Sequence, residues 1–305
     1  MRRIILPLLS LLLVACGSRQ ASAPSPPFDA AAALELVKTQ TDFGPRVPGT
    51  EAHLQQLEWM ESFLEPLAAV LQRQSFTAHN PFWEEDVAAH NLLASFYPEK
   101  TQRLLLCAHW DSRPVADQED PPVEQPIDGA VDGAAGTAVL LQIARILSGH
   151  EPAYGVDLLF FDAEDLGVSG DYEYTYFFQG SRHFAEVALE TGYQPWFGIL
   201  VDLIGDEPAD YYKEYYSVRY APDIVERVWS LADRLGLEQF KQQEGPALVD
   251  DHWILNREAR IPTINITEGA SDYPYWHTLE DTYDKVHAES IGAVGEVLVA
   301  VLYPD

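Results

Sequence analysis

The amino-acid sequence predicts an α/β protein of one domain, in which a doubly wound, largely parallel sheet is flanked by helices. Three observations support this prediction. Apolar runs typical of buried strands, such as residues 156–161, alternate with stretches of helical apolar spacing. The 305 residues are enough to bury one large core. The chain shows no internal repeat and no sign of a second domain.

The first part of the domain combines two helical patterns with two strand patterns. Apolar residues recur at helical spacing over residues 29–40 and 51–72. Residues 90–97 and 103–108 are apolar runs of strand length. The turn-forming segment 98–100 between these strands predicts that they pair as a hairpin.

The second part alternates helices and strands more regularly. It begins after a polar loop at residues 113–128, which is too long for a simple connector and is therefore a candidate for a functional loop. The predicted elements that follow are a helix at 139–147, a strand at 156–161, a helix from about 180 to 190, a strand at 196–203, a helix at 223–235, a strand at 261–266 and a helix at 290–302. Such alternation implies parallel strands that are connected by helices.

The amino terminus has the features of an export signal. Residues 1–15 contain two arginines and an apolar run that is too short to span a bilayer. The segment that ends at Cys16 resembles a bacterial lipobox, in which the cysteine becomes the lipidated first residue; cleavage near Ala15 without lipidation is the alternative. Residues 16–28, rich in Ser, Ala and Pro, are expected to tether this anchor to a domain at residues 29–305.

Composition adds expectations about location and partners. The lipobox predicts an exported protein that is lipid-anchored to a bacterial membrane, on its periplasmic or outer-surface side, with the lipid as its membrane contact. With Cys16 lipidated, Cys107 has no disulfide partner and is interpreted as a core residue. The 48 acidic and 19 basic residues give a net charge of -29, which argues against nucleic acid as a partner because nucleic acids bind basic surfaces.

Metal-binding residue types recur where the predicted strands end and where one helix begins. These residues are His109, Asp111, Asp132, Glu164, Asp165, Asp202 and His277. Because parallel strands bring their carboxyl ends to one edge of a sheet, these side chains are expected to lie close together. Carboxylate and imidazole groups are the ligands of catalytic zinc, and the absence of cysteine argues against a structural zinc site.

Several members of this set leave more than one interpretation open. Adjacent carboxylates such as Glu164 and Asp165 repel each other, so they are either solvated or neutralised by a metal. Asp132 also fits the N-cap of the helix that follows it. Asp111 is either a ligand or a residue that orients His109.

Several motifs together resemble one family. They lie at residues 160–165, 180–183, 202–205, 250–252 and 276–278, and read FFDAED, GSRH, DLIG, DDH and WHT. With the strand-end residues, they resemble the zinc-dependent aminopeptidase fold, and within it the glutaminyl-peptide cyclotransferases, which make amino-terminal pyroglutamate. The resemblance extends from about residue 30 to the end of the chain.

The resemblance implies a role for each matching residue. Asp132, Asp165 and His277 would bind one zinc ion per chain, and Glu164 would carry a proton. Asp202 and Asp250 would form an acidic network beside Glu164. Trp276 would line a pocket for the amino-terminal Gln of a peptide or protein.

The sequence departs from the family pattern at two places. Asp165 replaces the longer Glu that is common in animal members. The family's other pocket tryptophan has no clear counterpart, and Tyr172 or Tyr174 is the candidate for that place. His109 and Asp202 would complete a second zinc site in the aminopeptidase relatives.

The expected reaction is attack by the α-amine of the substrate on its own side-chain amide, with loss of ammonia. Glu164 can serve first as base and then as acid. One alternative is an aminopeptidase with two zinc ions; Trp276 and the motif at 250–252 favour the cyclase. The other is an inactive tethered binding protein, against which the retained Glu164 argues.

Overall fold

The structure is a computed structural model that describes residues 25–269 and 271–304. The predicted signal segment and Cys16 lie outside this part of the chain. The strands of the described residues are β1 (Val70–Asn80), β2 (Glu85–Phe96), β3 (Arg103–His109), β4 (Gly155–Phe161), β5 (Phe197–Val201), β6 (Tyr211–Lys213), β7 (Phe240–Glu244) and β8 (Thr263–Ile266). The α-helices are α1 (Ala30–Thr41), α2 (Glu51–Leu64), α3 (Gly136–Gly149), α4 (Gln179–Thr191), α5 (Tyr215–Tyr220), α6 (Pro222–Leu235), α7 (Asp251–Ile254) and α8 (Ala288–Leu302).

The main sheet has six strands in the order β1-β2-β4-β3-β5-β8. Strands β4, β3, β5 and β8 are parallel, whereas β1 and β2 form an antiparallel ribbon along one side. Strands β6 and β7 form a small separate sheet. The predicted α/β domain with a largely parallel sheet is thus confirmed.

Helices cover both faces of the main sheet. Along β3, Leu104 and Leu106 belong to the larger core cluster, which includes residues of α1, α3, α6 and α8. Leu105 and Cys107 belong to a second cluster with residues of α4 and α7. Alternate strand residues face opposite sides of a sheet, so a strand covered on both faces is apolar along its length. Cys107 is fully buried, as expected for a core residue.

The antiparallel ribbon corrects two predictions. The helix expected over 51–72 ends at Leu64, shortly before Pro66, and the chain re-enters the sheet as β1 at Val70. The predicted hairpin of 90–97 with 103–108 is also wrong, because β4 lies between β2 and β3. Strand β2 pairs instead with β1 and β4. β1 lies at the edge of the sheet and is mostly polar, with four polar residues in a row at 72–75, so its sequence lacks the apolar pattern that would have indicated a strand.

One helical stretch of the described residues, Ala130–Gly149, is long and apolar enough to span a membrane by composition. However, 94% of its most apolar window is buried inside the fold, which is typical of a core helix. Just before α1, Phe28 also packs against the core.

The topology fixes where a site can form. The four parallel strands end at His109, Phe161, Val201 and Ile266, all on one edge of the sheet. The loops that leave these ends carry most of the predicted site residues. Ligand sites of open α/β sheets lie at this edge.

Candidate active site

The turn after β4 directs two adjacent carboxylates into the same cavity. Asp111 accepts hydrogen bonds from the backbone N–H groups of Glu164 and Asp165, each at 3.2 Å. The Glu164 carbonyl accepts one from the Phe178 N–H at 2.8 Å. Ala163 has a φ of +53°, in the left-handed region, which lets the chain turn sharply. Asp111 therefore holds the backbone of the turn.

Asp132, Asp165 and His277 come together as a possible metal-ligand set. One ligand atom from each lies within 4.8 Å of the other two, and all three residues are buried. His277 Nε2 is 3.3 Å from Asp165 Oδ2 and 3.6 Å from Asp132 Oδ2. Asp165 Oδ2 has no hydrogen-bond partner in the described part of the chain. An unpartnered buried carboxylate oxygen facing an imidazole is suited to a cation.

The electrostatics of this set fit a bound divalent cation. Burial, followed by the charges of Asp165 and Asp202, raises the pKa of Asp132 above its ordinary value, although His109 opposes the shift. Burial also acts to raise the pKa of Asp165, but His277 and Arg113 outweigh it and hold this pKa below the usual range. Two carboxylates and an imidazole, with open space beside them, match the three protein ligands of catalytic zinc.

His109 lies at the centre of a second cluster. Its Nε2 is 3.0 Å from Asp132 Oδ1 and 3.0 Å from Asp202 Oδ1, and its Nδ1 is 3.5 Å from Asp111 Oδ1. Burial lowers the pKa of His109, but these three carboxylates outweigh it and raise the pKa well above its usual value. His109, Asp132 and Asp202 also form a possible metal-ligand group. A Cβ on Gly133 would overlap the imidazole, so this close packing requires glycine.

The structure does not support the alternative in which Asp132 is a helix N-cap. The N-cap position of α3 is Ala135, three residues further on, and the Asp132 side chain faces His109 instead, with Oδ1 3.0 Å from the imidazole Nε2. Asp281 instead accepts hydrogen bonds from the N–H groups of Val131 at 2.9 Å and Asp132 at 3.2 Å, and from the Tyr273 hydroxyl at 2.7 Å. Asp281 therefore fixes the backbone that presents Asp132.

Glu164 occupies an environment suited to proton transfer. It is 9% exposed and lines the cavity. Burial is the largest cause that raises the pKa of Glu164 well above its ordinary value. The charges of Asp165, Asp251 and Asp250 raise this pKa further, whereas His109 lowers it. A carboxyl group of raised pKa can both accept and release a proton near neutral pH.

Asp202 and Asp250 line the same cavity as Glu164. Asp202 directly follows β5, whereas Asp250 precedes α7 and accepts a hydrogen bond from Asn265 Nδ2 at 2.6 Å. Burial, followed by the charges of Asp202 and Asp251, raises the pKa of Asp250 well above its usual range. The structure thus brings together the three residues predicted for the acidic network, and their roles stay predictions.

The cavity has a volume of about 400 Å³ and an aromatic wall. Trp276 lines it, and its ring stacks on the His277 imidazole with 3.8 Å between centroids. Tyr174 also lines it and packs on Phe177 and Phe178, with centroids 6.2 and 5.9 Å apart. Tyr172 contributes as well, but it is 89% exposed at the rim. Of the two tyrosines, Tyr174 is therefore the one built into the wall.

A further wall of the cavity depends on a buried pair that the sequence did not reveal. Residues 247–249 line the cavity. Glu214 accepts a hydrogen bond from the Leu248 N–H at 3.0 Å, and its other oxygen is 3.1 Å from His252 Nε2. Burial acts to raise the pKa of Glu214, but His252 and backbone donors outweigh it and lower the pKa to about 2. Glu214 thus links α5 and α7 to this wall.

Arg113 and Asp117 were also missed as individual site residues. They lie in the loop at 113–128, whose length alone indicated function. Both contact proposed ligands, Arg113 touching Asp165 and Asp117 lying beside His277. In the sequence, Arg113 follows His109 by four residues and Asp117 follows Arg113 by four. An arginine and an aspartate at this spacing are too common to indicate a function.

The chain is similar to known proteins over most of its length. The model of peptidase family M28 matches residues 91–302. The solved structure of Bacteroides thetaiotaomicron glutaminyl cyclase bound to N-acetylhistamine is 37% identical, with a TM-score of 0.86, and the match covers 92% of this chain and 99% of that chain. A Zn-dependent exopeptidase from Parabacteroides distasonis is 36% identical with a TM-score of 0.87, over 92% of this chain and 100% of that chain.

A more distant relative comes from mouse. Its glutaminyl-peptide cyclotransferase-like protein is 25% identical over 284 residues, which are 84% of this chain and 71% of the mouse protein. The family match covers more than half of the chain, and the solved relatives match it almost from end to end. This chain therefore belongs to peptidase family M28, and it falls with the glutaminyl cyclases of that family.

Proposed function

We propose that this protein is a zinc-dependent glutaminyl-peptide cyclotransferase, an acyltransferase that converts the amino-terminal Gln of peptides or proteins to pyroglutamate and releases ammonia. One observation carries the proposal: Glu164, a buried carboxylate of raised pKa, lines the same aromatic-walled cavity as a zinc-type ligand set. Solved relatives whose names are glutaminyl cyclase support the same activity.

In this proposal, Asp132, Asp165 and His277 hold one zinc ion per chain. The bound ion supplies Lewis acidity toward the side-chain amide oxygen of the substrate. The assignment of one zinc follows the family resemblance, and in it His109 stays hydrogen-bonded, with its Nε2 3.0 Å from Asp132 Oδ1 and 3.0 Å from Asp202 Oδ1.

Glu164 moves the proton. The α-amine of the substrate forms a bond to the side-chain amide carbon, and the proton that it loses passes to the Glu164 carboxylate. Glu164 then delivers this proton to the departing nitrogen, so that the carbon–nitrogen bond breaks and ammonia leaves. One group can serve both steps because burial raises its pKa well above the ordinary value, so that the carboxyl group can hold the proton between the two transfers. Asp202 and Asp250 place two further carboxyl groups in the same cavity as Glu164.

The aromatic wall positions the substrate. Ring closure requires the Gln side chain to fold back onto its own α-amine, and a cavity that favours this conformation lowers the entropic cost of the reaction. Trp276 and Tyr174 line the space where the side chain would bind. Tyr172 lies at the rim, where the rest of the peptide would extend out of the cavity.

The two alternative functions are less well supported. An aminopeptidase with two zinc ions would require His109 and Asp202 as ligands of the second ion, and Trp276, which lines the cavity beside His277, favours the cyclase instead. An inactive binding protein would have no need for a buried Glu164 beside the ligand set.

We also propose that the protein is exported and lipid-anchored to a bacterial membrane through Cys16. The proposal is supported by the lipobox resemblance at residues 13–17. Cells fed a labelled fatty acid should transfer the label to the wild-type chain but not to a Cys16→Ser variant. Equal labelling of both would refute the anchor.

Ammonia release tests the proposed activity. Purified protein loaded with zinc should release ammonia from a peptide that begins with Gln. It should release none from a control peptide of the same composition with Gln in second place, because the attacking amine must belong to the Gln itself. Ammonia from both peptides would indicate a general amidase and contradict the proposal.

A further inference from the structure

Arg113, in the loop after β3, is fully buried and uses every one of its donors. Its Nε donates to Asp117 Oδ1 at 2.9 Å, and its Nη2 donates to Asp117 Oδ2 at 2.6 Å and to Ser169 Oγ at 3.2 Å. Its Nη1 donates to Asp165 Oδ1 at 2.7 Å and to the Asp165 carbonyl at 3.3 Å. A guanidinium has five N–H groups, so none is left over.

Two aromatic rings hold the same guanidinium. Its Cζ lies 5.7 Å from the Phe82 ring centroid and 5.6 Å from that of Phe177. Phe82 belongs to the turn between β1 and β2, and Phe177 to the aromatic wall of the cavity. Cation–π contacts are stronger when the charge is desolvated, as it is for buried Arg113. The guanidinium therefore has a defined position and orientation.

The network extends from Arg113 to a second proposed ligand. Asp117 Oδ1, which accepts from Arg113, lies 3.4 Å from His277 Nδ1. The neighbouring Gln118 N–H donates to the His277 carbonyl at 3.2 Å. His277 has a φ of +54°, a left-handed conformation that a non-glycine residue keeps only when its surroundings hold it. The Gln118 contact holds the backbone of His277, and Asp117 places a carboxylate oxygen beside the ring Nδ1, which has no hydrogen-bond partner in the described part of the chain.

We infer that Arg113 and Asp117 form a positioning bridge that orients two of the three proposed zinc ligands, Asp165 and His277. The inference rests on the proposed function, because it assumes that this set binds zinc. Arg113 occupies Asp165 Oδ1 and leaves Oδ2, which faces His277 Nε2 at 3.3 Å, as the ligand atom. The short Asp165 side chain would then bind through one oxygen.

At the other end of the bridge, Asp117 acts on the tautomer of His277. A carboxylate beside Nδ1 favours the tautomer that carries its proton on Nδ1 and leaves the Nε2 lone pair free. Such carboxylate–histidine contacts orient metal ligands, and their loss typically weakens metal binding about 10- to 100-fold. Neither Arg113 nor Asp117 would touch the substrate, so both are positioning residues.

The chain offers a matched control for Arg113. Arg103, at the start of β3, donates from Nε and Nη2 to the two oxygens of Asp157 at 2.7 and 2.6 Å. This pair lies at the amino ends of the strands, away from the cavity. An Arg-to-Lys change at either position keeps the charge but replaces a planar, multi-donor group with a point charge. Any effect of general destabilisation should appear in both variants.

The test measures zinc affinity on the purified full-length protein by competition with a chelator. The wild type is compared with Arg113→Lys, Asp117→Asn and Arg103→Lys, and thermal unfolding of the zinc-free forms reports on folding. We expect the first two variants to bind zinc about 10- to 100-fold more weakly. Arg103→Lys should bind zinc as the wild type does. The visible absorption spectrum of the Co²⁺-loaded protein should change in the Arg113 and Asp117 variants only.

Wild-type zinc affinity and an unchanged Co²⁺ spectrum in folded Arg113→Lys and Asp117→Asn would overturn the positioning bridge and leave the proposed function intact. An equal loss of affinity in Arg103→Lys would overturn it as well, since the effect would then be general. Failure of the proposed function has a different signature, because the wild-type chain itself would bind no zinc tightly; that result would overturn both.

Discussion

Replacing Glu164 with Gln tests whether this residue carries the proton. The substitution keeps the size of the side chain and removes its ability to exchange a proton. The backbone contacts that hold residue 164, to Asp111 at 3.2 Å and to Phe178 at 2.8 Å, do not involve the side chain and should persist. The three proposed zinc ligands are untouched, so the variant should retain its metal.

The magnitude follows from the environment of Glu164. Its side chain is buried and lines the cavity. Because ring closure consumes no water molecule, Glu164 acts on the proton of the substrate amine itself. General acid–base catalysis by a positioned group typically contributes about 10²- to 10⁴-fold, which corresponds to about 2.7–5.4 kcal/mol in the activation free energy. We therefore expect kcat of Glu164→Gln to fall by about this factor, with a smaller change in KM.

The assay is the rate of ammonia release from a Gln-initiated peptide, with zinc content measured on the same samples. Glu268→Gln is the matched control, because Glu268 is also buried, at 5% exposed, and has a pKa raised to about 8, first by burial and then by Asp206. It does not line the cavity of the site. The control should keep wild-type kcat. A Glu164→Gln variant that binds zinc and keeps more than about a tenth of wild-type kcat would refute the assigned role.

Three further predictions concern the ligands, the pocket and stability. Asp132→Asn should lose its zinc on dialysis, as metal analysis would show, because it removes one of three ligands; retained zinc would contradict the ligand set. Trp276→Ala should raise KM about 10- to 100-fold, since burying an aromatic ring contributes about 1.5–3 kcal/mol, and an unchanged KM would place substrate elsewhere. Glu214→Gln should lower the free energy of unfolding at pH 7 by about 3 kcal/mol, because the pKa of Glu214 is lowered from 4.5 to about 2. This contribution is present above pH 4.5 and disappears as the pH falls toward 2, so urea unfolding of wild type and variant should converge in acid; a difference that does not depend on pH would contradict it.

Local patterns were sufficient to predict the parallel part of the fold and the place of the site. Strands such as β4 are covered on both faces, so they stand out as apolar runs, and the residues that follow them necessarily reach the same edge of the sheet. This is why Asp132, Glu164, Asp165, Asp202 and His277 could be grouped from the sequence alone.

The antiparallel ribbon and the supporting residues could not be predicted in this way. Strand β1 is polar on its exposed face, and the partner of β2 is set by contacts between distant segments, not by the turn at 98–100. Arg113 and Asp117 act through tertiary contacts with Asp165 and His277, and a loop sequence carries no periodic signal for such contacts. In a sequence, a buried arginine cannot be distinguished from one that lies at the surface.

The most direct test of cyclisation is mass analysis of a peptide that begins with Gln, after incubation with the zinc-loaded protein. Cyclisation removes ammonia and leaves every peptide bond intact, so we expect one product, the full-length peptide with a pyroglutamyl amino terminus. A product that lacks its first residue, together with free Gln, would show hydrolysis of the first peptide bond and would contradict the proposed activity.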